Sequence, residues 1–593
     1  MARRGFTIFF TLLGMALAVS VAGLFALYLL FGREPAVPAN ATLTLRVGGD
    51  LAEVAPADII GYVSGGARSA TVRSLVDILR KAKVDARVSA VLLKPTGFST
   101  PFWGKIQELR DAILDFKQSG KPIYAYLEYG GDRDYYLASA ADKVFLMPST
   151  QLELTGVATY ALFLRGALDK VGAEADIRHI GDYKTASNTF TEKGYTAAHR
   201  EMDLSLNRDL YEQIVSGIAQ ARNQSEPAVR ALIDQGPFVP ADALRAGLID
   251  DVAYEDQVRE KLRSAVGQGA TGPEIDTADY ARVSARSLGL DRGPRIAVIY
   301  ATGAIVSGRG GFDPLNGTSV GADTLIKYIR DVRGDSSIRA IVLRIDSPGG
   351  SAGASDAIWR ELMIARNERA DRPIVASMSD LAASGGYYIA MPAHAILAQP
   401  STLTGSIGIF GGKFVTGGVY EKLGAKIDSV SSGRHAEMNS PVRRYTPDEA
   451  KKVQEQLQAF YDQFIEKVAD ARHSTPEKID RIAQGRVWTG RQAKDNGLVD
   501  ALGGLDAAIA VAKERAKIAK DSGVELVLYP PRRSLYELLS EELSGGGDQA
   551  ALSAWVSANV SSTELDALRT LRGPLARFRR GEPLALMPFT FLR

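Results

Sequence analysis

Cysteine is missing from all 593 residues, which rules out a thiolate nucleophile, a thiolate metal site and any disulfide. Histidine is scarce. The five are His179, His199, His394, His435 and His473. None sits in a glycine turn or beside a carboxylate at ligand spacing, and no His-Glu-x-x-His motif occurs, so neither a metal centre nor a Ser–His–Asp triad is favoured. No charge of one sign dominates. The 71 basic and 69 acidic residues leave +2, which gives no footprint for nucleic acid. Beyond residue 31 there is no apolar run long enough to cross a bilayer.

Before residue 31 there is one. Phe6 to Phe31 holds 26 residues without a charge, between Arg3-Arg4 and Arg33-Glu34. As a helix it reaches about 39 Å, more than a hydrocarbon core, so a tilted single span is expected. A cleaved signal peptide has an apolar region of only about 7–15 residues. The reading is therefore an uncleaved anchor over residues 1–32, its N-terminus cytoplasmic by the preceding arginines and the rest of the chain outside the cytoplasm.

That remainder is too long for one core. Val88 to Lys94 and Pro122 to Leu127 read as buried strands, Leu75 to Lys83 and Ile106 to Lys117 as helices, an alternation that predicts a parallel sheet with crossovers. The same order returns about 250 residues later. Tyr135-Tyr136-Leu137-Ala138 matches Tyr387-Tyr388-Ile389-Ala390, and Pro148-Ser149-Thr150 matches Pro400-Ser401-Thr402. Ala246-Gly247-Leu248-Ile249-Asp250 matches Asn496-Gly497-Leu498-Val499-Asp500. The body is thus a tandem α/β duplication, residues 33–290 and 291–525, joined by a Gly/Ser/Thr-rich stretch around Gly267 to Gly293. Residues 526–593 form an extension, with short helices at Ser534 to Leu543 and Glu564 to Leu571. Its end, Leu584 to Arg593, is unusually apolar. A strand packed on the body or a subunit contact explains it, with a tail lying in its own groove as the alternative.

Chemistry concentrates in the second copy. The strand ending Arg344-Ile345-Asp346 breaks at Ser347-Pro348-Gly349-Gly350, and the next ends at Ala382-Ala383-Ser384-Gly385-Gly386. Ser384 on such a turn has the setting of a nucleophile beside an oxyanion hole, whose amides would come from Gly349, or Gly350, and from Gly385. In the first copy Asp132 stands where Ser384 would fall. That copy carries instead Gly181-Asp182-Tyr183-Lys184, and the matching part of the second, near Gly433-Arg434-His435-Ala436, has no lysine. Each half holds what the other lacks.

The segment Ser379 to Tyr388, the run Pro400 to Gly408 and Gly181 to Lys184 together resemble signal peptide peptidase A in its long, duplicated, membrane-anchored form. The resemblance spans roughly residues 40 to 520 plus the anchor. It implies tandem Clp-protease/crotonase-like domains and a serine–lysine dyad of Ser384 and Lys184, with Ser406 orienting the lysine amine. It further implies a homotetramer on the periplasmic side of the inner membrane, which cleaves hydrophobic peptides such as residual signal peptides and needs no cofactor or metal. Lys184 can serve as a base only if burial among walls such as Tyr183, Ala186 and Phe190 disfavours its ammonium form. A crotonase-like acyl-CoA enzyme and a non-catalytic scaffold are the rival classes.

Overall fold

The computed structural model describes residues 34–54, 71–267, 272–313, 317–531, 581–588 and 590–592, with Gly14, Met15, Ala18, Ser20, Gly23 and Phe578 as isolated positions. The expected anchor lies almost wholly outside the described residues, and the helices expected at Ser534 to Leu543 and Glu564 to Leu571 lie entirely outside them. Among the described residues no helix is long and apolar enough to cross a membrane.

Two parallel sheets carry the duplication. The first orders its strands Glu274–Asp276, Ala41–Gly49, Val88–Phe98, Ile123–Leu127, Lys143–Leu146 and Asp251–Val252. The second repeats that order with Glu525–Tyr529, Arg295–Thr302, Ile338–Ser347, Ile374–Ala383, Ala395–Ala398 and Ala501–Leu502. Central strands are buried on both faces, as Val91, Leu92, Leu93, Ile341, Val342 and Leu343 show, because helices cover each side. Tertiary contacts repeat as well. Tyr135 donates to Leu248 O at 2.7 Å, and Tyr387 to Leu498 O at 2.9 Å. Arg222 pairs with Asp250 and Arg472 with Asp500, while Asp250 and Asp500 accept from the amides of Val144 and Ile396.

The stretch read as a joiner between the repeats is more than that. It contains the edge strand Glu274–Asp276 and the helix Thr277–Ala281. Its exposed–buried–exposed pattern spans only three residues, too few for an alternation to be read from the sequence.

A third sheet is shared between the repeats. Its order is Gly311–Asp313, Gly317–Gly321, Ala304–Val306, Gly349–Ser351, Leu584–Leu586, Ile409–Val415 and Glu174–Ile180. The last two strands, one from each repeat, run antiparallel through seven residue pairs, from Ile409 opposite Ile180 to Val415 opposite Glu174. The apolar C-terminal end supplies the fifth strand.

Beneath the second sheet, Arg344 joins the halves by charge. Its guanidinium forks onto Glu53 at 2.9 and 2.8 Å and also reaches Glu108 at 2.6 Å, all three side chains buried. Breaking such a group leaves unpaired carboxylates in a dry site. Arg344→Met is expected to cost about 3–5 kcal/mol in denaturant unfolding. An unmoved midpoint would show that the network is dispensable.

Candidate active site

Ser384 follows the strand Ile374–Ala383 and precedes the helix Gly385–Ala390. Its backbone sits at φ 57°, ψ −113°, a strained conformation for a residue with a Cβ. Two bonds hold it there: its amide donates to Gly405 O at 2.7 Å, and its carbonyl accepts from Tyr388 N at 2.8 Å. The elbow turns the hydroxyl away from the sheet.

Lys184 arrives from the other repeat. It lies four residues past Ile180, and Ile180 is opposite Ile409, itself three residues past Ser406. The register of that strand pair therefore fixes where the lysine meets the second repeat. Lys184 Nζ lies 2.7 Å from Ser384 Oγ, 3.0 Å from Ser406 Oγ and 3.0 Å from Ser406 O. Ser406, at φ 48°, is held by its amide to Arg486 O at 2.7 Å. Three oxygens, two of them from Ser406, thus surround the Lys184 nitrogen within hydrogen-bond reach. Ser384, Lys184 and Ser406 are each 0% exposed. Desolvation alone drives the Lys184 amine well below the ordinary lysine value, with no carboxylate opposing it.

The glycines divide the remaining work. Gly349 turns its N–H to Ser347 Oγ at 3.2 Å. Gly350 lies opposite Ala585 in the shared sheet, and a Cβ placed on Gly385 would come 3.1 Å from the Gly350 nitrogen. Gly349 and Gly350, the two candidates from the sequence, thus both lie against Gly385, and only the Gly349 amide is already engaged by a side chain.

Among the described residues no histidine hydrogen bonds to Ser384. His394 is structural, accepting from Ile374 N at 3.0 Å. Contrary to the spacing argument, His199 does face a carboxylate, Asp203, at 3.6 Å on the same helix, and His435 faces Asp448 at 3.4 Å.

A model of peptidase family S49 matches residues 115–269 and 366–519, so that one matched span contains Lys184 and the other Ser384. The chain belongs to peptidase family S49. Among similar proteins are serine protease SPPA, chloroplastic, of Arabidopsis thaliana and protease 4 of Salmonella typhi. The first is 39% identical, over 78% of this chain and 68% of its own length; the second is 35% identical, over 88% and 85%. A putative signal peptide peptidase SppA of Enterococcus faecium is 32% identical over 34% of this chain and 58% of its own. Two solved structures, a membrane-bound stomatin-specific protease and ClpP1 of Listeria monocytogenes, match at TM-scores of 0.25 and 0.23 and 15% identity. They cover 40% and 36% of this chain and 97% and 94% of their own, too slight a likeness to bear on the site. As a member of the S49 family the protein is a serine peptidase.

Two features of this site carry no signal in the sequence. Lys105, from the first repeat, salt-bridges Asp346 at 2.7 Å and Asp380 at 3.4 Å. It thereby splints the two strand ends that lead to Gly350 and Ser384, where the ladder slips between Ile345 and Ser347. Gly485 backs the lysine. At φ +78° it packs so closely that a Cβ would lie 2.5 Å from both Lys184 N and Cα. Gly485→Ala is expected to displace the amine and lower peptide turnover about a hundred-fold, since displacements near 1 Å cost that much. Full turnover in the folded variant would show that the close packing is incidental.

Proposed function

We propose that this chain is a membrane-anchored serine endopeptidase with a Ser384–Lys184 dyad, cutting extended apolar peptides that include residual signal peptides. The contact of 2.7 Å between Lys184 Nζ and Ser384 Oγ, in a site closed to water, carries the reading. A neutral Lys184 takes the Ser384 proton as Oγ attacks the scissile carbonyl carbon. The amides of Gly350 and Gly385 hold the oxyanion, with Gly350 favoured because the Gly349 N–H is engaged by Ser347. The ammonium of Lys184 then protonates the leaving amine, and a water, deprotonated in the same way, clears the acyl-enzyme. Ser406 holds the amine on line.

The peptide class is supported by the apolar walls around the pair. Tyr183 and Ala383, the chain neighbours of Lys184 and Ser384, pack in one apolar cluster with Met202, Leu403 and Val487, and Ala186 and Phe410 belong to another. The name of the Enterococcus faecium relative also supports it. The anchor rests on the uncharged run Phe6 to Phe31. An inner-membrane location with a periplasmic body, and a homotetramer, rest on the resemblance.

Ser384→Ala is expected to reduce cleavage of an apolar peptide at least about a thousand-fold while the fold persists. Cleavage retained by the purified variant would sink the assignment.

Lys184 also links activity to pH. Burial holds its folded-state value below that of the unfolded chain, so between the two values the native state binds fewer protons. Stability therefore rises with pH across that window, and below it, where both states are protonated, the native state bears the full cost of a buried ammonium. Lys184→Met is expected to abolish activity, to raise the melting temperature at neutral pH and to flatten its rise toward alkaline pH. A lower melting temperature with the pH dependence intact would show that the lysine is not buried uncharged.

A further inference from the structure

Three consecutive residues of the second repeat grip the Ser384–Lys184 pair from behind. Gln484 O accepts from Tyr183 N at 2.8 Å, Gly485 N donates to Ile407 O at 2.8 Å, and Arg486 O accepts from Ser406 N at 2.7 Å. One short strap thus holds both the residue before Lys184 and the residue that touches the Lys184 amine. These are backbone bonds, which any residue at position 486 could supply. The Arg486 side chain does something further.

Its guanidinium crosses back to the first repeat. It forks onto the Glu201 carboxylate at 2.7 and 2.8 Å. Its Cζ lies 4.7 Å from the centre of the Tyr183 ring and 4.4 Å from that of Trp488. The Trp488 ring is fixed in turn, its indole N–H donating to Ile482 O at 2.8 Å. Glu201 stands on the helix Ala197–Arg222, one residue before Met202, whose sulfur accepts from Val487 N at 3.3 Å. Arg486 is foremost among the groups that hold the Glu201 carboxylate below its ordinary value, so the pair stays ionised.

Half of the Glu201 side chain is exposed, and an ion pair so placed adds little to stability. Direction is another matter. A planar fork that also stacks on aromatic faces fixes orientation as well as distance, which a lysine ammonium in the same place does not. The first copy supplies a contrast. There Phe238 bridges to Leu152 much as Val487 pairs with Gly405, and Pro237 stands where Arg486 would fall. The arginine belongs to the strap that backs Lys184, and a proline to the other.

We propose that Arg486 is a positioning residue for peptide cleavage: stacked on Tyr183 and Trp488 and forked onto Glu201, it holds the Tyr183–Lys184 segment in the attitude that aims the amine at Ser384 and shuts water out behind it. This rests on the Ser384–Lys184 reading. Tyr183 is only half-buried, so without the guanidinium its ring is free to swing outward. The amine touches uncharged partners, the Ser384 hydroxyl and the Ser406 hydroxyl and carbonyl. Asp182 and Tyr183 beside it, Glu201 on the helix and Arg486 on the strap contribute nothing to its lowered value, which is desolvation alone. Water admitted past Tyr183 therefore favours the ammonium. Cleavage needs the neutral amine, so the acid limb of the pH profile moves to higher pH.

The test compares Arg486→Met, which keeps the stem, with Arg486→Lys, which keeps the charge without the plane. Both are assayed on a fluorogenic apolar peptide across pH. Each is expected to lower kcat about ten- to a hundred-fold with KM within about two-fold of the parent. Each is also expected to move the acid limb of kcat/KM up by about one pH unit, with little change in melting temperature. Because Arg486→Lys retains the positive charge, a shared shift is not a loss of charge repulsion. Glu201→Gln is expected to give a smaller loss of the same kind, and Arg486→Met added to it to cost less than in the parent. If Arg486→Met does not fold, Arg486→Lys and Glu201→Gln carry the same readouts. Parental kcat, a lowered kcat with the acid limb unmoved, or full additivity with Glu201→Gln overturns the clamp and leaves the dyad standing, provided Ser384→Ala is inactive. Cleavage retained by Ser384→Ala overturns the dyad, and the clamp with it.

Discussion

Everything in this molecule turns on keeping one amine out of water. A lysine is useless as a base at neutral pH unless its ammonium form is penalised, and here desolvation supplies the whole penalty. That is a demand on the entire fold, because walls must close around Lys184 from every side while its nitrogen still reaches a hydroxyl. The walls come from far apart in sequence: Gly485 against the lysine backbone, Gly408 with a Cβ position 3.2 Å from Lys184 Cδ, and Ser406 at its tip. Residues this small let the backbone itself come close to the lysine.

Duplication makes that enclosure attainable. Each repeat alone presents one face of a parallel sheet and a loop at its end. Joined through the antiparallel pairing of Glu174–Ile180 with Ile409–Val415, one loop is pressed into the other. Ion pairs that cross the same boundary, Arg344 with Glu53 and Glu108, and Lys105 with Asp346 and Asp380, stop the halves from sliding. A slip of one residue would turn every side chain to the other face and carry the amine away from the serine. In this arrangement the lysine of one copy and the serine of the other meet in one buried place.

What the sequence displayed was local. Strands such as Ile341 to Ile345 announced themselves as apolar runs ending in glycine turns, and the repeat was legible because Tyr135 and Tyr387, or Asp250 and Asp500, keep the same contacts in both copies. The elbow at Ser384 was legible from Ala-Ser-Gly-Gly. The role of Lys184 was legible only through its motif in combination with the serine, since nothing in Gly-Asp-Tyr-Lys says which wall it will face. Of the shared sheet only the C-terminal strand was legible, as an apolar end packed on the body; its other strands are three to seven residues long and drawn from both repeats. The bond from Gly349 N to Ser347 Oγ, on which the preference for Gly350 rests, is a matter of backbone geometry without a side-chain signature.

The shared sheet also bears on what selectivity such a site can have. A peptide held between two strands is recognised first by its own N–H and C=O groups, which every sequence offers, and only then by alternate side chains. On the Leu584 and Leu586 face the lining is Ala186 and Phe410, apolar and without a charged partner in that cluster. A charged residue at those positions would lose its hydration with no compensating bond, which excludes it more firmly than any shape would. On the proposed reading, the enclosure that disfavours the ammonium of Lys184 and a preference for apolar chains are one property, and a mutation that let water reach the amine would relax both together.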